Sequence, residues 1–427
     1  MAHRDDRCKN TTVDELRINI DRLMGRIDEL AQIGAIENTD GCARLALTDE
    51  DKAGRDLVLT WMRDLETEIT IDGIGNVTAV WAGPDTDTSL DPVMTGSHID
   101  TVRTGGRYDG NLGVLAGLEV VETIAEAGLS PRRPIAVGFF TDEEGSRFPP
   151  DMLGSLVYVG GMSLEEGLDT VGIDGAILGE ELDRIGYRGG APCPAAAPHA
   201  FVELHIEQGP VLEAEGITIG AVESVQGISW TEITIKGQSN HAGTTPMDLR
   251  RDPGYAAARI AAFVRELALE MGGRQVATVG QIKLHPNLVN VVAANATLTV
   301  DLRNTDEMML QQAEKQLAVF CDELAESENV TITSRSLARF EPVVFEPEVV
   351  DRVAYTAEAL GHSFKRMPSG AGHDAQMLAR VCPTAMIFTP SWMGLSHNPF
   401  EYTEPTDIAA GANVLLHVLR GLADEDG

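Results

Sequence analysis

Lysine is scarce in this chain. Of 33 basic residues in 427, six are lysine (Lys9, Lys52, Lys236, Lys283, Lys315 and Lys365) and the other 27 are arginine. Acids outnumber bases two to one, for a formal charge of −33. That balance disfavours nucleic acid as a partner, because binding a phosphate backbone requires neutralising it. Cysteine is also sparse. Cys8, Cys42, Cys193, Cys321 and Cys382 are odd in number and far apart, with no C-x-x-C pair. This argues against a disulfide framework and a zinc–thiolate site, and for free thiols in a reducing compartment. No apolar run approaches membrane-spanning length, and MAHRDDRCKN has no apolar signal core. The expectation is a cytoplasmic protein with no membrane partner. The glycines around Gly105, Gly106, Gly110 and Gly113 form neither G-x-G-x-x-G nor a loop ending in G-K-[ST], which argues against a phosphate cradle.

What is present suits a large folded chain. Hydrophobic residues make up 43 % of it, so the acidity is not that of a disordered tail. The acids are spread along the whole sequence. That fits a halophilic protein whose self-repulsion is screened in molar salt, whereas a docking site for one basic partner would concentrate them. The length favours two domains.

Thr12-x-x-Glu15 reads as a capping box ahead of apolar Leu16, Ile20, Leu23, Ile27 and Leu30, an amphipathic helix. A second helix is expected over Glu50–Leu65, then a hairpin in EITIDGIGNVTAVW. Strands are expected to end near His98, at Phe140, near His205 and at Thr389, with helices beginning near Asn111, Pro347 and Thr406. Strands alternating with helices favour an α/β core with a mixed, largely parallel sheet. Between about 224 and 337 the texture changes to β-α-β-β-α-β, with strands at Ile228–Lys236, Gln275–Lys283, Val289–Arg303 and Val330–Ser336. This is the ferredoxin-like split pattern. The expected organisation is a catalytic domain of residues 1–223 and 338–427 carrying an inserted α+β lid and dimerisation domain, 224–337.

The chemistry concentrates at the strand ends. Ile135–Phe140 is apolar and delivers Glu143 and Glu144 just beyond its carboxyl end, where open α/β sheets hold ligands. A solvated acidic turn is the bland alternative in so acidic a chain. Other residues share that location, however. His98 ends a strand, with Asp100 two residues on to orient its ring. Asp109 lies in the next loop, His205 near another strand end, and His397 beyond a third. Three imidazoles and two carboxylates suit a pair of divalent cations sharing one carboxylate. Glu143, not needed as a ligand, remains as a general base.

The motifs GSHIDTV, YDGNLGV, TDEEGSRF, ELHIEQGP, NHAGTTPM, NVVAANATLTVDLRN, GAGHDA and SHNPFE occur in order across residues 96–401. Together they resemble the amidase, hydantoinase and carbamoylase branch of the M20 metallopeptidase family. The resemblance implies two divalent ions per subunit, zinc or manganese, with cobalt or nickel accepted by the same donors. His98, Asp109 and His205 would hold one ion; Asp109, Glu144 and His397 would hold the other. It implies Glu143 as general base and then acid, with Asp100 orienting His98. His241 would reach the neighbouring subunit's site in a homodimer joined through its lid domains. Asn290 and Arg303 would bind a substrate carboxylate, Gln208 would contact the substrate, and His373 would lie near the site. The implied substrate is a small ureido or carbamoyl compound with a carboxylate. An N-carbamoyl-L-amino acid is the first reading and allantoate the second. An aminoacylase or dipeptidase and a catalytically silent solute-binding protein are the remaining alternatives. Two departures stand out: NVVAAN replaces a more usual Asn-Val-Ile-Pro-Gly, and Phe148-Pro149-Pro150 stiffens the chain after the acid pair.

Overall fold

A computed structural model describes residues 15–425. The chain divides into two compact units. One runs to Glu223 and resumes at Phe345; the other spans Ser224–Val344. The return to the first unit thus falls seven residues beyond the expected position. The cause is a last strand, Thr331–Phe340, that continues past Ser336 through an irregularity before Ala338.

The first unit is built on a mixed sheet. Its strands run in the order Glu68–Ile71, Val77–Trp81, Ile135–Phe140, Val93–His98, Ala200–Ile206, Thr384–Thr389, Ile219–Val225, with Phe364–Ser369 also paired to the last. The four central strands, Ile135–Phe140 through Thr384–Thr389, are mutually parallel, and the flanking pairings at Val77–Trp81 and Ile219–Val225 are antiparallel. Every residue of those four strands is buried. Strands covered on both faces must read as continuous apolar runs, as IAVGFF and TAMIFT do. Each fully buried side chain such as Phe140 adds roughly 1.5–3 kcal/mol. Polar side chains interrupt the runs at Ser97 and His98 and at Glu203 and His205, towards the carboxyl ends. Since the strands are parallel, those ends share one edge of the sheet.

Helix Asn111–Glu126 packs across this sheet and is buried over most of its circumference, whereas Ile20–Ala31 is amphipathic and lies on it. The first helix starts later than expected. Asn19 is its N-cap, accepting the Arg22 N–H, so Leu16 precedes it; Thr12 lies outside the described residues. Short helices at Leu153–Tyr158, Leu164–Leu168 and Leu178–Ile185 had no periodic signal long enough to predict them. No described helix is long and apolar enough to cross a membrane. Cys42, Cys193, Cys321 and Cys382 are free thiols; Cys8 lies outside the described residues.

The second unit is a four-stranded antiparallel sheet in the order Thr331–Phe340, Gly227–Lys236, Asn295–Asn304, Val276–His285. Helices Pro253–Met271 and Glu307–Ser327 pack against it around Ile233, Ile260, Leu267, Leu298 and Leu317. Asp252 and Asp306 cap the two helices by accepting two backbone N–H groups each. One expected strand is broken. Val289–Arg303 resolves into Val291–Val292, paired with Asn240–His241, and Asn295–Asn304. Between them the chain turns aside, and Ala294 exchanges backbone bonds with His285 and Gly237 instead of extending the ladder.

Candidate metal centre

At the shared carboxyl edge of the first unit, His98, Asp109 and His205 bring one ligand atom each within 4.8 Å of one another, and so do Asp109, Glu144 and His397. Asp109 belongs to both triads, one oxygen to each. Its Oδ1 lies 3.2 Å from His205 Nε2 and 3.7 Å from His98 Nε2, and its Oδ2 lies 3.4 Å from His397 Nε2. His397 Nε2 is also 3.1 Å from Glu144 Oε2. A carboxylate placed in this way can bridge two cations.

Two of the histidines are oriented by backbone carbonyls. His98 Nδ1 lies 2.9 Å from the Asp100 carbonyl, and His205 Nδ1 lies 2.9 Å from the Ile206 carbonyl. A carbonyl only accepts, so each Nδ1 carries a proton, which leaves Nε2 as the atom turned into the cluster. Asp100 therefore orients His98 through its backbone. Its side chain lies 3.9 Å from the His98 ring. The carboxylate is occupied elsewhere, accepting the backbone N–H groups of Glu143 and Glu144 at 3.4 Å each.

Backbone strain collects at the same place. Asp142, Gln208 and His397 are non-glycine residues with φ of 57°, 57° and 54°. Such conformations cost on the order of 1–3 kcal/mol each and persist where surrounding structure imposes them. The first turns the chain immediately before the two glutamates, and the third sits on a ligand.

Electrostatics set the needs of the site. Burial pushes the carboxyls of Glu143 and Glu144 up, and Asp374, Asp100 and Asp109 add to the effect on Glu143. Burial also raises Asp100 to about 7 and Glu401 to about 8. Burial alone would raise Asp109 as well, but the imidazoles of His205, His98 and His397 hold it well below the ordinary carboxylate range. Burial opposes a proton on His205, yet Asp109 lifts it to about 9; Glu144 lifts His397 to about 9. The site is a buried excess of carboxylate, with the Glu144 Oε1 and Gln208 Oε1 atoms left without a hydrogen-bond partner. Divalent cations fit this donor set in charge and in ligand type.

The remaining expected residues are placed as follows. Gln208 joins the cluster, its Nε2 donating to Asp109 Oδ2 at 2.9 Å. His373 is buried edge-on against His205, ring centroids 4.6 Å apart, with Nε2 2.8 Å from Ser369 Oγ. Burial and His205 hold its pKa well below the usual value. Glu143 Oε2 lies 3.3 Å from His98 Nε2. His241, Asn290 and Arg303 belong to the second unit. The Asn290 carbonyl accepts the Ala242 N–H at 2.9 Å, so Asn290 neighbours the His241 loop. Arg303 is not beside them. It stands eight residues beyond Asn295 on the same strand, roughly 27 Å away at the usual rise. There it pairs with Asp301 at 2.9 Å and lies over the Trp230 ring. Within one chain, then, Asn290 and Arg303 do not form a single carboxylate clamp.

Sequence reasoning missed two members. Ser396 donates to Asp109 Oδ2 at 2.9 Å, and Glu401 accepts the Tyr108 and Asp109 N–H groups. Both stand in the SHNPFE motif, and their proximity to His397 was the available signal.

A family profile described as "Peptidase family M20/M25/M40" matches residues 94–421. An N-carbamoyl-L-amino-acid amidohydrolase of Rhizobium meliloti is 41 % identical over 408 residues, 96 % of this chain and 97 % of its own. The allantoate amidohydrolase of Escherichia coli K12 is 39 % identical over 362 residues, 83 % of this chain and 87 % of its own. Among solved structures, an amidase of the hydantoinase/carbamoylase family from Burkholderia multivorans superposes with a TM-score of 0.92 at 44 % identity. That match covers 96 % of this chain and all of the other.

Proposed function

The chain belongs to peptidase family M20/M25/M40, and from that membership we propose that it hydrolyses the carbamoyl C–N bond of an N-carbamoyl-L-amino acid, releasing the amino acid, ammonia and carbon dioxide. The observation that carries this reading is Asp109 shared between two triads, with Glu143 beside them and free of a ligand role. His98, Asp109 and His205 would hold one divalent cation and Asp109, Glu144 and His397 the other; zinc and manganese suit these donors, as do cobalt and nickel. When bound, such cations acidify water and polarise a carbonyl, which the unreactive ureido group requires.

The chain's own residues do the rest. Glu143 Oε2 faces His98 inside the cluster, where it can take a proton from water and later return it to the departing nitrogen. Burial raises its proton affinity and so suits it to hold that proton between the two steps. Gln208 is placed to bind the ureido group, and His373, neutral and buried, backs His205. Arg303 would clamp the substrate carboxylate once exchanged from Asp301. His241 and Asn290 act as a pair from one loop ladder. Their separation from Arg303 along the strand favours a homodimer in which the second unit of a neighbouring copy supplies them. The edge strand Val276–His285 and the exposed Leu288 and Val289 nearby offer apolar surface for such pairing. The acid excess suits work in a salt-rich cytoplasm.

Allantoate is the second reading, favoured by the Escherichia coli relative and by the same pairing of ureido group and carboxylate. A mass-spectrometric product assay tests both. Metal-reconstituted protein in molar KCl is offered N-carbamoyl-L-amino acids, their D-enantiomers and allantoate, with Glu143→Gln as control. Turnover of the L-carbamoyl series is expected. Turnover of allantoate alone would transfer the protein to the second reading, and no turnover with metal bound would overturn both. Light scattering in high salt should give the mass of two chains; an active monomer would remove the dimer.

A further inference from the structure

Arg44 is completely buried, and among the described residues no carboxylate lies within salt-bridge distance of it. A guanidinium so placed is costly unless its donors are satisfied. They are satisfied by neutral acceptors. Nη1 donates to the carbonyls of Leu30 at 3.1 Å and Ile33 at 2.8 Å, at the carboxyl end of helix Ile20–Ala31, where the helix dipole favours a cation. Nε donates to the Ile99 carbonyl at 2.8 Å, and Nη2 donates to Asn111 Oδ1 at 2.8 Å.

Those last two acceptors lie on the two segments that supply ligands. Ile99 sits between His98 and Asp100, the residue whose carbonyl fixes the His98 tautomer. Asn111 returns its Nδ2 to the Asp109 carbonyl at 3.2 Å, across the turn that carries the shared carboxylate. The Arg44 main chain holds the first segment again: its carbonyl accepts the Thr101 N–H at 2.9 Å, and its own N–H donates to Thr101 Oγ1 at 2.7 Å. One planar group thus ties the His98 segment to the Asp109 segment from behind. We propose that Arg44 is a positioning residue for the metal pair, setting the spacing of His98 and Asp109 through Ile99 and Asn111. The inference rests on the metal centre proposed above. A lysine there would keep the charge but, as a point donor, could not span both acceptors in fixed geometry.

The test is zinc and manganese affinity of the full chain, by competition with a chromophoric chelator, alongside circular dichroism and thermal unfolding of the metal-free protein. Arg44→Lys is expected to stay folded and to bind zinc about 10–100-fold more weakly, as loss of outer-shell partners does. Arg22→Lys is the control: it loosens the pairing of Arg22 with buried Glu119, far from any ligand in sequence, and should lower stability without changing affinity. If Arg44→Lys does not fold, Asn111→Ala decides, since it removes the Nη2 acceptor together with the bond to the Asp109 carbonyl, the link through which Arg44 reaches that segment. Wild-type zinc affinity in a folded Arg44→Lys or, failing that, a folded Asn111→Ala protein would overturn the proposal. No metal binding by the unmodified chain would remove the metal centre itself and this inference with it.

Discussion

Glu401 Oε1 accepts the backbone N–H of Tyr108 at 3.0 Å and that of Asp109 at 3.1 Å, so a side chain 292 residues away in sequence sets the backbone of the shared ligand. Glu401→Ala strands two buried N–H groups, and each orphaned group costs about 1–3 kcal/mol. Denaturant unfolding of the metal-free protein should show a loss of about 2–6 kcal/mol for the two groups together, with weaker metal binding in titration. A stability unchanged within about 0.5 kcal/mol would separate Glu401 from the Asp109 turn.

In the proposed centre Glu143 is adjacent to a ligand and is not one of the five. Glu143→Gln should therefore retain its full metal content by elemental analysis while turnover falls about 10²–10⁴-fold, the usual contribution of a positioned acid–base group. Loss of metal along with turnover would make it a ligand.

Metal stoichiometry should separate the shared carboxylate from the private ligands. His397→Ala, touching one triad, should leave about one ion per chain, whereas Asp109→Ala should deplete both sites. Equal depletion by the two variants would contradict bridging by Asp109.

The pH dependence follows from His205 and His397, both raised to about 9 by the carboxylates beside them. Only neutral imidazole ligates, so protons compete with metal and affinity should rise with pH up to about 9. The metal-free chain should behave in the opposite sense. Groups whose folded pKa lies above the unfolded value stabilise the fold fully below the unfolded value and lose that contribution as pH rises through the folded one. Asp100, raised from 3.8 to about 7, Glu401, raised from 4.5 to about 8, and the two histidines, raised from 6.5 to about 9, all fall in this class, so thermal stability without metal should decline from about pH 4 to about pH 9. A flat profile would refute this.

The central sheet was legible because burial on both faces leaves little choice of residue. IAVGFF, and AMIF within TAMIFT, are wholly apolar, so a histidine or glutamate at the end of such a run signals chemistry. The short helices between 153 and 185 lack that clarity, since five to eight residues seldom span enough turns to show a period. Val289–Arg303 failed for a different reason. Its residues favour extended backbone throughout, and only tertiary pairing of Val291–Val292 with Asn240–His241 breaks the ladder. Asn290 and Arg303 stand apart with or without that break, because Arg303 lies near the far end of Asn295–Asn304.

By itself the sequence determined which imidazoles and carboxylates are candidate ligands, their order and their position at strand ends, because these side chains are chosen residue by residue and apolar strands announce themselves locally. It also determined the split β-α-β-β-α-β pattern of the second unit. The tertiary structure decided that one oxygen of Asp109 faces each triad, that Asp100 orients His98 through its carbonyl, and that Arg44, Ser396 and Glu401 bond to the segments carrying His98 and Asp109. All but the Asp100–His98 bond join atoms far apart in the chain, at about 3 Å. Such distances arise only when parallel strands bring their carboxyl ends to one edge and the loops pack there, so no local pattern could encode them.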